Sequence, residues 1–188
     1  MTDDYLIHHC APTLAGIKTA SLFTCPYETR EALLDSLRQL NRKLGSKGLR
    51  IVPLRFSGEK ALIYAYRPGK LTADLSDAQA EALLKRCGYC PGSCETCVGT
   101  LCRKLQQQED FPHEIGLFLG YPAEDVRGFM DQGPGSCKLT GCWKVYGDAE
   151  AARKKFDQYK KCSRIYREKW AQGSSLDRLT VPTRTPPA

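Results

Sequence analysis

An α+β fold, rich in helix and built as a single domain around a small antiparallel sheet, is what this sequence predicts. Three observations carry the prediction. Glu28 to Leu44 places Leu33, Leu34, Leu37, Leu40 and Leu44 on one face with Arg and Lys on the other, the pattern of an amphipathic helix. Two β-branched or aromatic runs, 49–56 and 61–66, flank Ser57-Gly58-Glu59-Lys60 and read as a hairpin. A long basic run after Gly147-Asp148 repeats its apolar residues at helical spacing. With 188 residues, 41% of them apolar, the chain can bury one sizeable core but not two ordinary domains of about 100–200 residues each.

In chain order, Ala11 to Phe23 is expected as a short helix entered at Pro12, with Leu14, Ile17 and Leu22 inward. Cys25-Pro26-Tyr27 breaks it, and Gly45 and Gly48 end the amphipathic helix that follows. The hairpin comes next, and Pro53 makes its first strand an edge or bulged one. Arg67-Pro68-Gly69-Lys70 reads as a loop, and Asp74 to Cys87 as a helix with Leu75, Ala78, Ala82 and Leu83 inward. Ser93 caps a helix reaching about Gln108. Ile115 to Leu119 and Ala123 to Met130 are short helices around Gly120-Tyr121-Pro122. After the loop 131–136, a strand at about 142–146 joins the sheet, and the basic helix runs to about Gln172. Residues 1–172 then form the globular domain, with 173–188 a flexible tail of Ser, Thr and Pro.

Composition narrows the function classes. Charged residues make up 26%, and no window holds the roughly 18 apolar residues of a spanning helix, so membrane insertion is excluded. The acidic start Met1-Thr2-Asp3-Asp4 lacks a secretory pattern, which points to the cytoplasm. In a reducing compartment the ten cysteines are expected as thiols or metal ligands.

The densest group is Cys87, Cys90, Cys94 and Cys97, spaced C-x2-C-x3-C-x2-C, with Cys102 beyond. Thiolates two residues apart can converge on one ion, so zinc or an iron–sulfur cluster is a candidate cofactor. The spacing matches neither the usual ribbon nor the usual cluster run. It competes with a packing reading in which Cys94, Cys97, Leu101 and Leu105 form one apolar helical stripe. His8-His9-Cys10 precedes the first expected helix, whose positive end would lower the Cys10 thiol and attract anions; Lys18 follows within that helix. Cys25 and Cys162 are assigned to a loop and to a core face. His113-Glu114 is a candidate acid–base pair for Cys10, although neighbouring helical residues point about 100° apart, which leaves Glu114 poorly placed to orient His113.

Residues 153–169 carry a local charge of +6, with Phe156, Tyr159, Cys162 and Tyr166 on the inner face and Lys154, Lys160 and Arg164 on the outer one. That face is solvated, or docks an acidic protein partner or nucleic acid. The helix–turn–helix likeness of 115–130 fails as a DNA reader because its second helix opens with Glu124 and Asp125.

Taken together, His9-Cys10-Ala-Pro-Thr-Leu-Ala-Gly-Ile-Lys18, then Phe111-Pro-His-Glu-Ile-Gly-Leu-Phe-Leu-Gly-Tyr-Pro122 with Asp125-Val126 and Gly128-Phe129, and Cys137-Lys138, Gly141, Trp143-Lys-Val-Tyr146 and Asp148 resemble the mainly clostridial family catalogued as domain of unknown function 3793. The resemblance runs to about Tyr166 and implies a cytosolic protein of anaerobes. It brings no reaction, cofactor or catalytic residue with it, but directs attention to Cys10, His113, Glu114 and Cys137. Three functions are therefore expected in order. The first is a metal-binding or redox-responsive site of Cys10, His9, His113 and Cys137, with a redox partner. The second is docking through the basic helix, and the third an enzyme acting on an anionic small molecule near Cys10 and Lys18.

Overall fold

Three antiparallel strands, β1 (Ala20–Pro26), β2 (Arg50–Ser57) and β3 (Lys60–Tyr66), are ordered β1-β3-β2 in the computed structural model of the chain, which describes residues 2–90, 92–107 and 111–183. The helices are α1 (Asp3–Leu14), α2 (Arg30–Leu44), α3 (Pro68–Leu75), α4 (Ala78–Arg86), α5 (Cys94–Gln107), α6 (Ile115–Phe118), α7 (Ala123–Gln132), α8 (Ala149–Ala171) and α9 (Leu176–Leu179). A separate pair of two-residue strands, β4 (Leu139–Thr140) and β5 (Lys144–Val145), completes the α+β architecture. The chain divides into two compact units, residues 1–69 with 161–188 and residues 70–160.

In the first unit, period-two alternation turns Ala61, Ile63 and Ala65 of β3 toward one core. Leu6, Ile7 and Leu14 of α1, the leucine face of α2, Tyr166 of α8, and Leu176 and Leu179 of α9 fill that core. The hairpin forms as expected, and the register shift between Pro53 and Arg55 on edge strand β2 is where a residue without an N–H belongs.

Several expectations are corrected. Pro12 lies near the end of α1, not at a helix start: Asp3 and Asp4 occupy the favourable first turn, and Gly16 at φ 74° ends the helix. Ala20–Phe23 is therefore strand, pairing Phe23 with Ile63, and β1 rather than residues 142–146 is the third strand of the main sheet. Pro68 opens α3 where a loop was expected, because a fixed φ and a missing N–H suit a first helical turn. The single helix expected over 74–87 is two. Asp77 accepts from the N–H groups of Gln79 and Ala80, restarting the helix with Ala80, Leu83 and Leu84 inward and leaving Ala78 and Ala82 exposed.

The expected tail is also partly folded. Ser175 caps α9, Leu176 and Leu179 are buried, and Val181 donates its N–H to the Leu14 carbonyl at 2.9 Å. What holds this segment is Arg67, 1% exposed. Its Nε donates to Thr13 O at 2.6 Å, Nη2 to Leu14 O and Val181 O, both at 2.7 Å, and Nη1 to Lys47 O and Thr183 Oγ1, both at 3.1 Å. All five guanidinium donors are used, and every acceptor is a carbonyl or hydroxyl. A side chain at Gly48, which has φ 74°, would run into Thr183. Residues 184–188 of the expected tail, and Gln108 of the expected helix end, lie outside the described residues.

Replacing Arg67 with Met should destabilise the first unit by about 3 kcal/mol or more, since each buried acceptor left unpaired costs about 1–3 kcal/mol. Urea unfolding measures the loss. Hydrogen exchange at the Val181 and Thr183 amides should quicken with it.

Candidate functional site

The second unit is organised around one carboxylate. Asp125, in the first turn of α7 and 2% exposed, accepts from Trp143 Nε1 at 2.7 Å through Oδ2, and from the Tyr146 and Gly147 N–H groups at 2.7 and 2.8 Å through Oδ1. Burial is possible because three donors replace water around its charge. These bonds tie β5 and the entry to α8 onto α7. Gly128 allows the approach, since a Cβ there would enter the Tyr146 ring, and Gly116 lets α6 meet Val126 and Tyr121.

Above this clasp lies a groove of about 240 Å3, walled by Phe111, His113, Tyr121, Phe129 and Trp143, with Lys144 at its edge. Tyr121 stacks on Trp143 at 4.9 Å and 26°, and the indole meets Phe156 edge-on at 4.5 Å. His113 sits edge-on to Phe129 at 4.9 Å. The carboxylate of Asp125 is already spent on its three donors. The His113 imidazole and the Lys144 ammonium have no hydrogen-bond or ion-pair partner among the described residues. The charged or titratable side chains lining the groove are thus His113, Lys144 and the hydrogen-bonded Asp125, set among aromatic residues.

Glu114 points elsewhere. It is buried, pairs with Lys104 Nζ at 2.9 Å and accepts from Tyr89 OH at 3.3 Å, while Lys104 also donates to Cys87 O at 2.7 Å. The Lys104 ammonium lies 4.8 Å from the centre of the Tyr89 ring. Burial, then the Glu114 charge, raises the Tyr89 hydroxyl far above its usual range. Glu114 anchors the segment that carries His113, and its carboxylate is committed to Lys104 and Tyr89.

The other predicted residues fall in both units. Cys10 and Lys18 belong to the first unit, His113 and Cys137 to the second. Cys10 is fully buried in the later half of α1, so no helix N-terminus stands after it. Burial pushes its thiol up to about 12, against smaller lowering by a Ser21 hydrogen bond and the Lys18 charge. The N–H groups of Ile17 and Lys18 both bond the Pro12 carbonyl. His9 stacks on Phe23 at 5.1 Å. Cys137 Sγ lies 3.6 Å from Pro134 O and 3.4 Å from Thr140 Oγ1.

Cys94 and Cys97 are buried with Leu101 and Leu105 along α5, as the packing stripe predicts, while Cys90 is exposed and Cys87 half-buried. Pro91, of the Cys90-Pro91 dipeptide, lies outside the described residues. Among the described residues no group of three His, Cys, Asp or Glu side chains is arranged to hold a metal ion. Lys154, Lys160 and Arg164 are exposed on α8, where Lys154 pairs with Glu150 at 2.8 Å and Arg164 with Glu168 at 3.4 Å. No helix of the described residues is long and apolar enough to cross a membrane.

A family model described as "Protein of unknown function (DUF3793)" matches residues 6–180. No curated protein and no solved structure matches the chain. The motif positions that sequence reading treated separately, in 111–129 and 143–146, are the ones that converge on the groove. Tyr121, Phe129, Trp143 and Lys144 were read as turn, helix and strand residues. The signal available for them was their place in those motifs.

Replacing Asp125 with Ala should cost about 2–4 kcal/mol, because it leaves buried N–H groups unpaired at about 1–3 kcal/mol each. The Trp143 emission should shift to the red as its indole loses a fixed partner. Denaturant unfolding and fluorescence, with Trp170 replaced by Phe, measure both.

Proposed function

The chain belongs to the family described as protein of unknown function DUF3793, and we propose that its second unit is a binding module for a small planar anion, an aromatic carboxylate or similar ring acid, held in the groove between His113 and Trp143. The observation that carries this reading is the pairing of an aromatic lining with two donors, His113 and Lys144, that lack polar partners among the described residues. Burying a ring against Tyr121, Phe129 and Trp143 supplies the non-directional part of the affinity. The ammonium and imidazole select for a negative charge at one edge. A groove of about 240 Å3 falls just below the usual range of about 300–1,000 Å3 for ligand pockets, which favours one or two fused rings over a nucleotide-sized molecule.

Two features support specificity for charge. The first is that Asp125, which also lines the groove, has its charge partly offset by three N–H dipoles, so it opposes an anion less than an unbonded carboxylate would. The second is the fixed indole: its N–H is committed to Asp125, so Trp143 offers a face rather than a donor. A metal or redox role for Cys10, His113 and Cys137 rests on their motif positions, and the burial of Cys10 argues against it. Docking through Lys154, Lys160 and Arg164 has their exposure in its favour, but two of these three side chains are already paired with carboxylates on the same helix.

Titration of the Trp170→Phe protein with benzoate, 4-hydroxybenzoate and indole-3-carboxylate should give saturable change in Trp143 fluorescence, and the matching neutral amides should bind at least tenfold more weakly, about 1.4 kcal/mol. Lys144→Met should remove that preference for charge while leaving the fold intact. Equal binding of acids and amides, or no saturation by any of them, refutes the reading.

A further inference from the structure

Cys90, Cys94 and Cys97 line a single cavity of about 130 Å3 in the second unit, distinct from the groove and walled also by Thr72, Leu84 and Tyr89. Cys94 and Cys97 stand three residues apart at the start of α5, so both side chains leave the helix on one side. Their surroundings differ. Cys94 is engaged by the Thr72 and Glu95 side chains. The Cys97 sulfur instead faces the backbone of Cys90, 4.0 Å from its carbonyl oxygen. Cys90 is exposed, Cys97 is buried, and both are free thiols. An exposed cysteine and a buried one that line one small cavity, with the buried sulfur against the backbone of the exposed residue, suit an oxidant-sensing pair, in which the first sulfur meets the oxidant and the second resolves it.

We infer that Cys90 and Cys97 are a dithiol–disulfide pair, with Cys90 the thiol that reacts first and Cys97 the thiol that resolves. With hydrogen peroxide as oxidant, the Cys90 thiolate attacks one peroxide oxygen; an S–O bond forms, the O–O bond breaks, and the departing hydroxide takes a proton and leaves as water. The Cys97 thiolate then attacks the Cys90 sulfur, forming the S–S bond and expelling the sulfenic oxygen, which takes a proton and leaves as a second water. The two thiols together lose two electrons and two protons, and the peroxide is reduced to two waters. Burial raises the Cys97 thiol, so the resolving step quickens as pH rises, by roughly tenfold per unit while the thiol remains mostly protonated.

The test is to treat the reduced full-length protein with a small excess of hydrogen peroxide, block remaining thiols by alkylation, and map disulfides by mass spectrometry without reduction. Cleavage after Arg86, Glu95 and Arg103 separates Cys90 from Cys97. The expected result is a crosslink between these two peptides that dithiothreitol reverses. It should persist in Cys87→Ser, Cys94→Ser and Cys102→Ser and vanish in Cys97→Ser. In Cys97→Ser, a dimedone adduct on Cys90 should rise at least tenfold over wild type, with unchanged circular dichroism confirming the fold. A crosslink that survives Cys97→Ser, a crosslink lost in Cys94→Ser, or a Cys90 adduct equal in wild type and Cys97→Ser overturns the inference.

Discussion

A carboxylate removed from water must be given donors or lose its charge, and residues 111–147 are arranged around that requirement at Asp125. Its two oxygens collect an indole N–H and two backbone N–H groups from a segment about twenty residues further on. Those bonds set the position of Trp143, and Trp143 in turn carries Tyr121 on one face and Phe156 at its edge. The groove is the outer surface of this stack. Its shape therefore follows from an electrostatic constraint rather than from apolar packing alone, and the small residues Gly116 and Gly128 are where the surrounding backbone had to come close. In the first unit the same solution appears with the sign reversed. Arg67 is surrounded by carbonyl and hydroxyl oxygens, and no carboxylate is among its hydrogen-bond partners.

Using fixed dipoles rather than opposite charges has a consequence for recognition. A buried ion pair would neutralise itself and contribute no field at the surface. Asp125 is satisfied by N–H groups instead, so no side-chain cation is used up in building the clasp. The rim of the groove is left to His113 and Lys144. That division separates the group that builds the site from the groups that read the ligand, so the latter can be changed without collapsing the former. Glu114 repeats the division one residue away: its pairing with Lys104 and Tyr89 fixes the backbone beside His113 and leaves the imidazole exposed.

Regular patterns were legible in the sequence, and local ones that depend on partners were not. The amphipathic face of α2, the 50–66 hairpin with its irregular edge at Pro53, the cap of α5 at Ser93 and the inner face of α8 all follow from periodicity and capping chemistry. Residues 20–26 were misread because Leu14, Ile17 and Leu22 mimic helical spacing across Gly16, a residue whose left-handed conformation shows only in three dimensions. The C-terminal segment looked disordered by composition, yet it offers Arg67 the Val181 carbonyl and the Thr183 hydroxyl, a pairing that composition does not register. At the site, Cys10 drew attention through its neighbours in sequence, while its burial comes from contacts made across the whole first unit. Lys144 lies in a two-residue strand too short to leave a periodic signal.

The most direct test of the account is nuclear magnetic resonance of the protein during titration with indole-3-carboxylate. Binding in the groove predicts that the Trp143 indole N–H, the His113 ring and the Lys144 side-chain resonances shift together along one saturation curve, with Cys10 and Lys18 unmoved. Shifts that gather at Cys10 and Lys18, or along 153–169 of α8, with the groove silent, would contradict it.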